Sequence, residues 1–132
     1  MSRRDNAHAR CLRCRMHQTL CICGLLPSLW TSTHLVLFIH HREDKKTTNT
    51  GRLATLCLPN SHVVVRGRPE EPTVAFAPDP ARQNVLLFPE EGAAPLAQFA
   101  HGNKPVTLVV PDGTWRQAAS TAPSTAWRRD RR

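Results

Sequence analysis

With 132 residues, the chain has room for one domain of modest core, or for a small module attached to part of a larger domain. Its 18 Lys+Arg against 10 Asp+Glu leave a net charge of +8, which favours a polyanionic partner. Nucleic acid is preferred to a membrane: no apolar stretch is long enough to span one, no basic amphipathic helix is visible, and the Arg-rich N-terminus lacks an apolar signal core. The expected location is therefore cytoplasmic.

Residues 1–10 read as a flexible basic lead. Cys11, Cys14, Cys21 and Cys23 follow in a C-x2-C-x6-C-x-C array. Four thiolates this close can converge tetrahedrally on Zn²⁺, whereas two disulfides or four free thiols are the competing readings. In a reducing compartment zinc is the better choice, and four cysteine ligands leave no open position, so the module at residues 11–24 is expected to be structural. His17 is a possible substitute ligand but reads more simply as surface. Leu25, Leu26, Leu29 and Trp30, in the connector from Gly24 to Thr33, are expected to dock the module on the body.

His34 to Ile39 is a continuous apolar run, hence a central strand. It opens into a long charged loop, His40 to Arg52, ahead of a helix over Leu53–Leu58 that Asn49 or Thr50 can cap. Such a loop entering a helix N-terminus either offers N–H groups to an anion or is a solvated connection. Cys57 reads as a small core residue on that helix. His62–Val65 is a further strand, Thr73–Phe76 a possible short one, and Asn84–Phe88 another, followed by Pro89 and a short helix from Pro95 to Phe99. Val106–Val110 reads as a strand buried on both faces that Pro111 stops, before a tight turn at Asp112-Gly113 with Thr114 and Trp115 beyond it. Taken alone, that turn reads as structural, with Trp115 as a core plug. The alternation of strand, polar loop and helix predicts a mostly parallel α/β sheet, which brings the loops after Ile39, Phe88 and Val110 to one edge.

In the order Cys11-x2-Cys14-x6-Cys21-x-Cys23, His40-His41-Arg42-Glu43, Asn49-Thr50-Gly51-Arg52-Leu53, Leu87-Phe88-Pro89 and Asp112-Gly113-Thr114-Trp115, the chain resembles the DTW-domain proteins. These are tRNA-uridine aminocarboxypropyltransferases related to the knotted SPOUT methyltransferases. The resemblance implies a SPOUT-like, knot-type α/β fold over residues 34–118, incomplete at its C-terminus, with residues 119–132 an irregular basic tail. It also implies transfer of the 3-amino-3-carboxypropyl group of S-adenosylmethionine to N3 of a tRNA uridine. On that reading Asp112 is the candidate base, with Glu43 as second choice. Asn49, Thr50, Gly51 and Arg52 would bind the donor's carboxylate, and Phe88, Pro89, Asp112, Gly113, Thr114 and Trp115 would complete the donor site. Arg42, Lys45 and Lys46 would meet tRNA phosphates. The alternative is a truncated, inactive, zinc-containing RNA-binding remnant of the family. A nucleotide-phosphate or NAD enzyme is disfavoured, because neither G-x-G-x-x-G nor a P-loop is present.

Overall fold

Leu35 to Ile39 are five consecutive apolar residues, and all five are buried in strand β1 (His34–His40). Burial on both faces is what a central strand of a covered sheet requires. The computed structural model describes residues 7–71 and 76–124, and within them the sheet has four strands. The other three are β2 (Ser61–Arg66), β3 (Gln83–Leu86) and β4 (Val106–Asp112), in the order β2-β1-β4-β3. Every pairing is parallel. All four carboxyl ends therefore lie along one edge, as the alternation of strands and polar loops predicts.

One face of the sheet carries the cluster of Val36, Phe38, Val64 and Val109, with Phe76 and Leu86 packed against it. Phe38 and Phe76 meet edge to face, with centroids 6.0 Å apart. On the other face, Leu37 lies under helix α2 (Gly51–Cys57). Leu108 and Val110 share that second face through their pairing with Leu35 and Leu37, yet they are only half-buried. A seven-residue helix is roughly 10 Å long, too short to cover two strands. The expectation that β4 is buried on both faces thus holds for one face only.

Pro111 does not stop β4, which runs through it to Asp112. The Val109 carbonyl accepts from Leu87 N–H, so Val109 points its backbone polar groups toward β3. Pro111, two residues on, points the same way, past the end of β3 at Leu86, where no donor is needed. Other boundaries also move. The charged loop contains a single helical turn, α1 (His41–Asp44), capped by the His40 ring nitrogen, which accepts from Arg42 N–H. Leu87 and Phe88 lie beyond β3, and the turn at Leu96–Phe99 is a 3-10 helix with Pro95 at its cap. The reading of an irregular tail from residue 119 is overturned in part, because helix α3 spans Trp115–Ser124. Residues 125–132 lie outside the described residues, as do residues 1–6 of the lead and Thr73, Val74 and Ala75 of the short strand.

Arg10 bridges to His17 and donates to the Arg15 carbonyl, so the cysteine module begins earlier than residue 11. Of the four residues expected to dock it, Leu25, Leu29 and Trp30 are exposed and Leu26 is half-buried. The connector is held instead by Leu29 N–H donating to the Cys57 carbonyl. Cys57 itself is half-buried rather than part of the core. Among the described residues, no helix is long and apolar enough to cross a membrane.

Candidate active site and metal centre

The four cysteines come together as their spacing predicts. Their Sγ atoms all lie within 4.8 Å of one another, with Cys11–Cys23 at 3.6 Å and Cys14–Cys21 at 3.8 Å. A tetrahedron of ~2.3 Å zinc–sulfur bonds has edges of roughly 3.8 Å, so the cluster already has the dimensions of a tetrathiolate site. Backbone amides prepare the ligands. Hydrogen bonding from Cys14 and Arg13 N–H pulls the Cys11 thiol down to about 6, and the Ile22 amide lowers Cys14. Burial and the neighbouring thiols push Cys23 up to about 12, a conflict that a dication at the centre would relieve. His17 is not among the ligands; its Nδ1 accepts from Thr19 N–H and caps the following turn.

At the carboxyl edge of the sheet, Ile39 pairs with Asp112, so the loop after β1 leaves the sheet beside the Asp112 carboxylate. Asn49 Nδ2 donates to Asp112 Oδ2 at 2.8 Å. Asn49 Oδ1 also accepts from Arg52 N–H, so it caps the start of α2 while Thr50, at the cap position, uses no side-chain bond. One amide side chain thereby ties the helix start to the strand end. Gly51 completes the fit: a Cβ there would lie 2.3 Å from Asp112 Oδ2 and 3.3 Å from Leu37 Cδ2.

Beyond Gly113 the chain enters α3 through a reciprocal cap. Thr114 N–H donates to Gln117 Oε1 at 2.8 Å, while Gln117 N–H faces Thr114 Oγ1 at 3.4 Å. This Thr-x-x-Gln capping box is present in the sequence as a helix-start signal, one that a reading of the turn alone passes over. With its oxygen engaged there, Gln117 directs Nε2 to His40 Nδ1 at 3.2 Å, and its carbonyl accepts from Arg66 Nη2. The His40 and His41 rings lie 4.5 Å apart, tilted by 39°, and Gly67, at φ +77°, passes so close that a Cβ would meet His40 Nε2 at 2.7 Å. Burial lowers the pKa of His40, and its neighbours His41, Arg66 and Arg42 lower it further. His41 Nδ1 is buried with no hydrogen-bond partner among the described residues.

Trp115 is no core plug. It is 73% exposed, and its ring meets Phe88 at 6.2 Å, which leaves an open aromatic surface beside the Asp112 turn, with exposed Pro89 next to Phe88. Arg52, expected to be free for an anion, is committed elsewhere: its Nε and Nη2 hold Asp44 Oδ1 at 2.7 and 2.6 Å. Asp44 also receives Arg15, and sequence reading assigns it no role. Glu43 accepts from Lys46 Nζ at 2.6 Å, whereas Arg42 and Lys45 are exposed on the same turn. The three loops thus meet at one edge as predicted, with the Asp112 carboxylate held between two of them.

A family model, the DTW domain, matches residues 8–130, so the likeness runs past residue 118, the expected end of the α/β domain. A protein named tRNA-uridine aminocarboxypropyltransferase 2 from Macaca fascicularis is 35% identical over 120 residues, covering 82% of this chain and 39% of that protein. Its namesake in Drosophila melanogaster is 33% identical over 121 residues, 86% of this chain and 48% of that one. The Arabidopsis thaliana protein named tRNA-uridine aminocarboxypropyltransferase A is 27% identical, covering 89% of this chain and 53% of its own length. The chain spans about two-fifths to a half of the length of these relatives. No solved structure matches it significantly.

Proposed function

The chain belongs to the DTW-domain family, and from that premise we propose that it moves the 3-amino-3-carboxypropyl group of S-adenosylmethionine to N3 of a tRNA uridine. The observation that carries the assignment of roles is the Asp112 carboxylate, fixed at the carboxyl end of a parallel strand by the Asn49 amide. The donor supplies a sulfonium-activated carbon; the N3–carbon bond forms as the carbon–sulfur bond breaks, and its electron pair returns to sulfur. Asp112 takes the N3 proton, and its tether to Asn49 keeps it within hydrogen-bond reach of that atom. Glu43, already paired with Lys46, is the second choice for the base.

The open Phe88–Trp115 surface is suited to stacking on a purine ring, with Pro89 and Gly113–Thr114 alongside. The donor's carboxylate is assigned to the Asn49–Gly51 segment. Arg52 serves that segment indirectly, because its guanidinium is spent on Asp44. Arg42, Lys45 and Lys46 provide positive charge for tRNA phosphates. The tetrathiolate cluster is assigned to structural Zn²⁺ in a reducing, cytoplasmic setting, and the parallel sheet fits a SPOUT-like knotted architecture.

Asp112→Asn tests the central role. Asn keeps the shape and an acceptor for Asn49 but takes no proton, so the variant should bind donor normally while turnover falls by roughly 10²–10⁴-fold. Near-normal modification of tRNA by Asp112→Asn would move the base to Glu43. Calorimetric titration with S-adenosylmethionine separates the remnant reading, which binds tRNA without binding donor.

A further inference from the structure

The four-cysteine module and the site loop meet at one carboxylate. Arg15, the residue after Cys14, donates through Nη1 to the Asp44 carbonyl, and its Nη2 lies 3.3 Å from Asp44 Oδ1. Arg52 holds the same oxygen from the first turn of α2. The Asp44 side chain is only 13% exposed, so this contact is partly withdrawn from water, where paired charges count for more than on an open surface. The connector grips the far end of the same helix, through Leu29 N–H and the Cys57 carbonyl.

A second observation bears on Arg15. Its φ is +62°, and it is the only non-glycine residue with positive φ among the described residues. That conformation disfavours a side chain by roughly 1–2 kcal/mol and suits glycine without penalty. The knuckle imposes it: Arg15 N–H donates to the Cys11 carbonyl, closing the turn that sets Cys11 beside Cys14. The direction of the Arg15 side chain is therefore dictated by the geometry of the metal ligands. Of the apolar connector residues, Leu25, Leu29 and Trp30 are exposed, which leaves Leu26 as the half-buried one.

We infer that Arg15 is a positioning residue that couples occupancy of the tetrathiolate site to the order of residues 41–57, the segment that presents Asn49 and Gly51 to Asp112. Closing the four thiolates on a metal fixes the Arg15 backbone, Arg15 fixes Asp44, and Asp44 fixes Arg52 at the start of α2. Such coupling is reciprocal: order in the loop must tighten the hold on the metal by the same factor. Its consequence for catalysis rests on the reading of this edge as the transfer site; the coupling itself does not.

The diagnostic variant is Arg15→Gly in the full chain, because glycine relieves the backbone strain while removing the clamp. Metal analysis should find one zinc per chain, and amides of residues 41–57 should exchange hydrogen about 5-fold faster or more than in the parent zinc-bound protein. Asp44→Ala, which leaves the knuckle untouched, should surrender zinc to a chelator faster by a similar factor. Arg52→Ala, which keeps the Arg15–Asp44 contact but cuts the link from Asp44 to α2, should also speed zinc release, by no more than Asp44→Ala does. Unchanged exchange in zinc-loaded Arg15→Gly overturns the inference. If that variant fails to hold zinc, Asp44→Ala decides, and unchanged zinc release there overturns it. Both readouts need neither donor nor RNA, so failure here leaves the transferase reading standing, and the transferase reading can fail without touching the coupling.

Discussion

At the amino edge of the sheet, Arg82 donates to the carbonyls of Ser32 and Val106 and to the Thr107 hydroxyl. Beside it, Asn60 Nδ2 donates to the carbonyls of Thr31 and Thr33, and its Oδ1 meets His34 Nδ1. A cavity of about 260 Å³ lies among these residues. At the carboxyl edge, polar side chains bind one another instead: Asn49 to Asp112 and Gln117 to His40 across separate segments, and Arg52 to Asp44 within the connection after β1. The guanidinium and amide donors of the amino edge are spent on loop and strand carbonyls, which is the signature of a seam. The carboxyl edge pins a carboxylate at the end of a strand with a side chain from another loop, under a glycine whose Cβ would press on that carboxylate. Function is better sought where side chains position side chains than where a hollow happens to open.

Gly51→Ala presses hardest on that contrast. As a helix opener, Ala is intrinsically favoured over Gly by roughly 1 kcal/mol, so local propensity predicts stabilisation. The added Cβ would instead meet Asp112 Oδ2 at 2.3 Å and must drive the carboxylate away from Asn49. Turnover should drop by roughly 10²-fold, comparable to loss of the base itself, with a melting temperature close to that of the parent. A variant with full turnover would show that the carboxylate's position is unimportant.

Why the site is only partly legible in the sequence follows from the same residues. The cysteine spacing, the buried run before His40 and the Asp112 turn are local patterns, and local patterns survive in sequence. Pro111 inside β4 is misread because its tolerance depends on where another strand ends, at Leu86. Arg52 is assigned to an anion because its partner, Asp44, looks like one more charge in a charged loop. Trp115 suggests a core plug on hydrophobicity alone, whereas the Thr114–Gln117 cap points the helix so that the ring stays in solvent. The capping box itself is readable, and it extends the helix beyond residue 118.

Arg82→Ala probes the other edge. It removes donors to two carbonyls and a hydroxyl where β3 enters beside β4, and should lower unfolding stability by about 2 kcal/mol in denaturant titration. Donor affinity should not change, because no part of the carboxyl edge contacts this guanidinium among the described residues. A variant that lost donor binding with its stability intact would reverse the assignment of the two edges.

The smallest effect expected is one of pH, and it concerns His40. Its Nδ1 faces both Arg42 N–H and Gln117 Nε2 as an acceptor, a role only the unprotonated nitrogen can fill. Burial lowers its pKa, and His41, Arg66 and Arg42 add to the shift while Glu43 opposes it. The folded state therefore binds this proton less readily than the unfolded chain does. The stability contributed by neutral His40 is complete above the unfolded value of about 6.5 and is lost as pH falls through the lower folded value. Protonation would break both hydrogen bonds and set a cation against two arginines, loosening the link between β1 and the α3 cap. His40→Asn offers an acceptor oxygen near the same place without titrating. Melting temperatures compared at about pH 7.5 and about pH 5.5 should fall further in the parent than in His40→Asn. Equal falls in the two proteins would mean that the proton is taken up elsewhere, and that the Gln117 contact does not depend on a neutral ring.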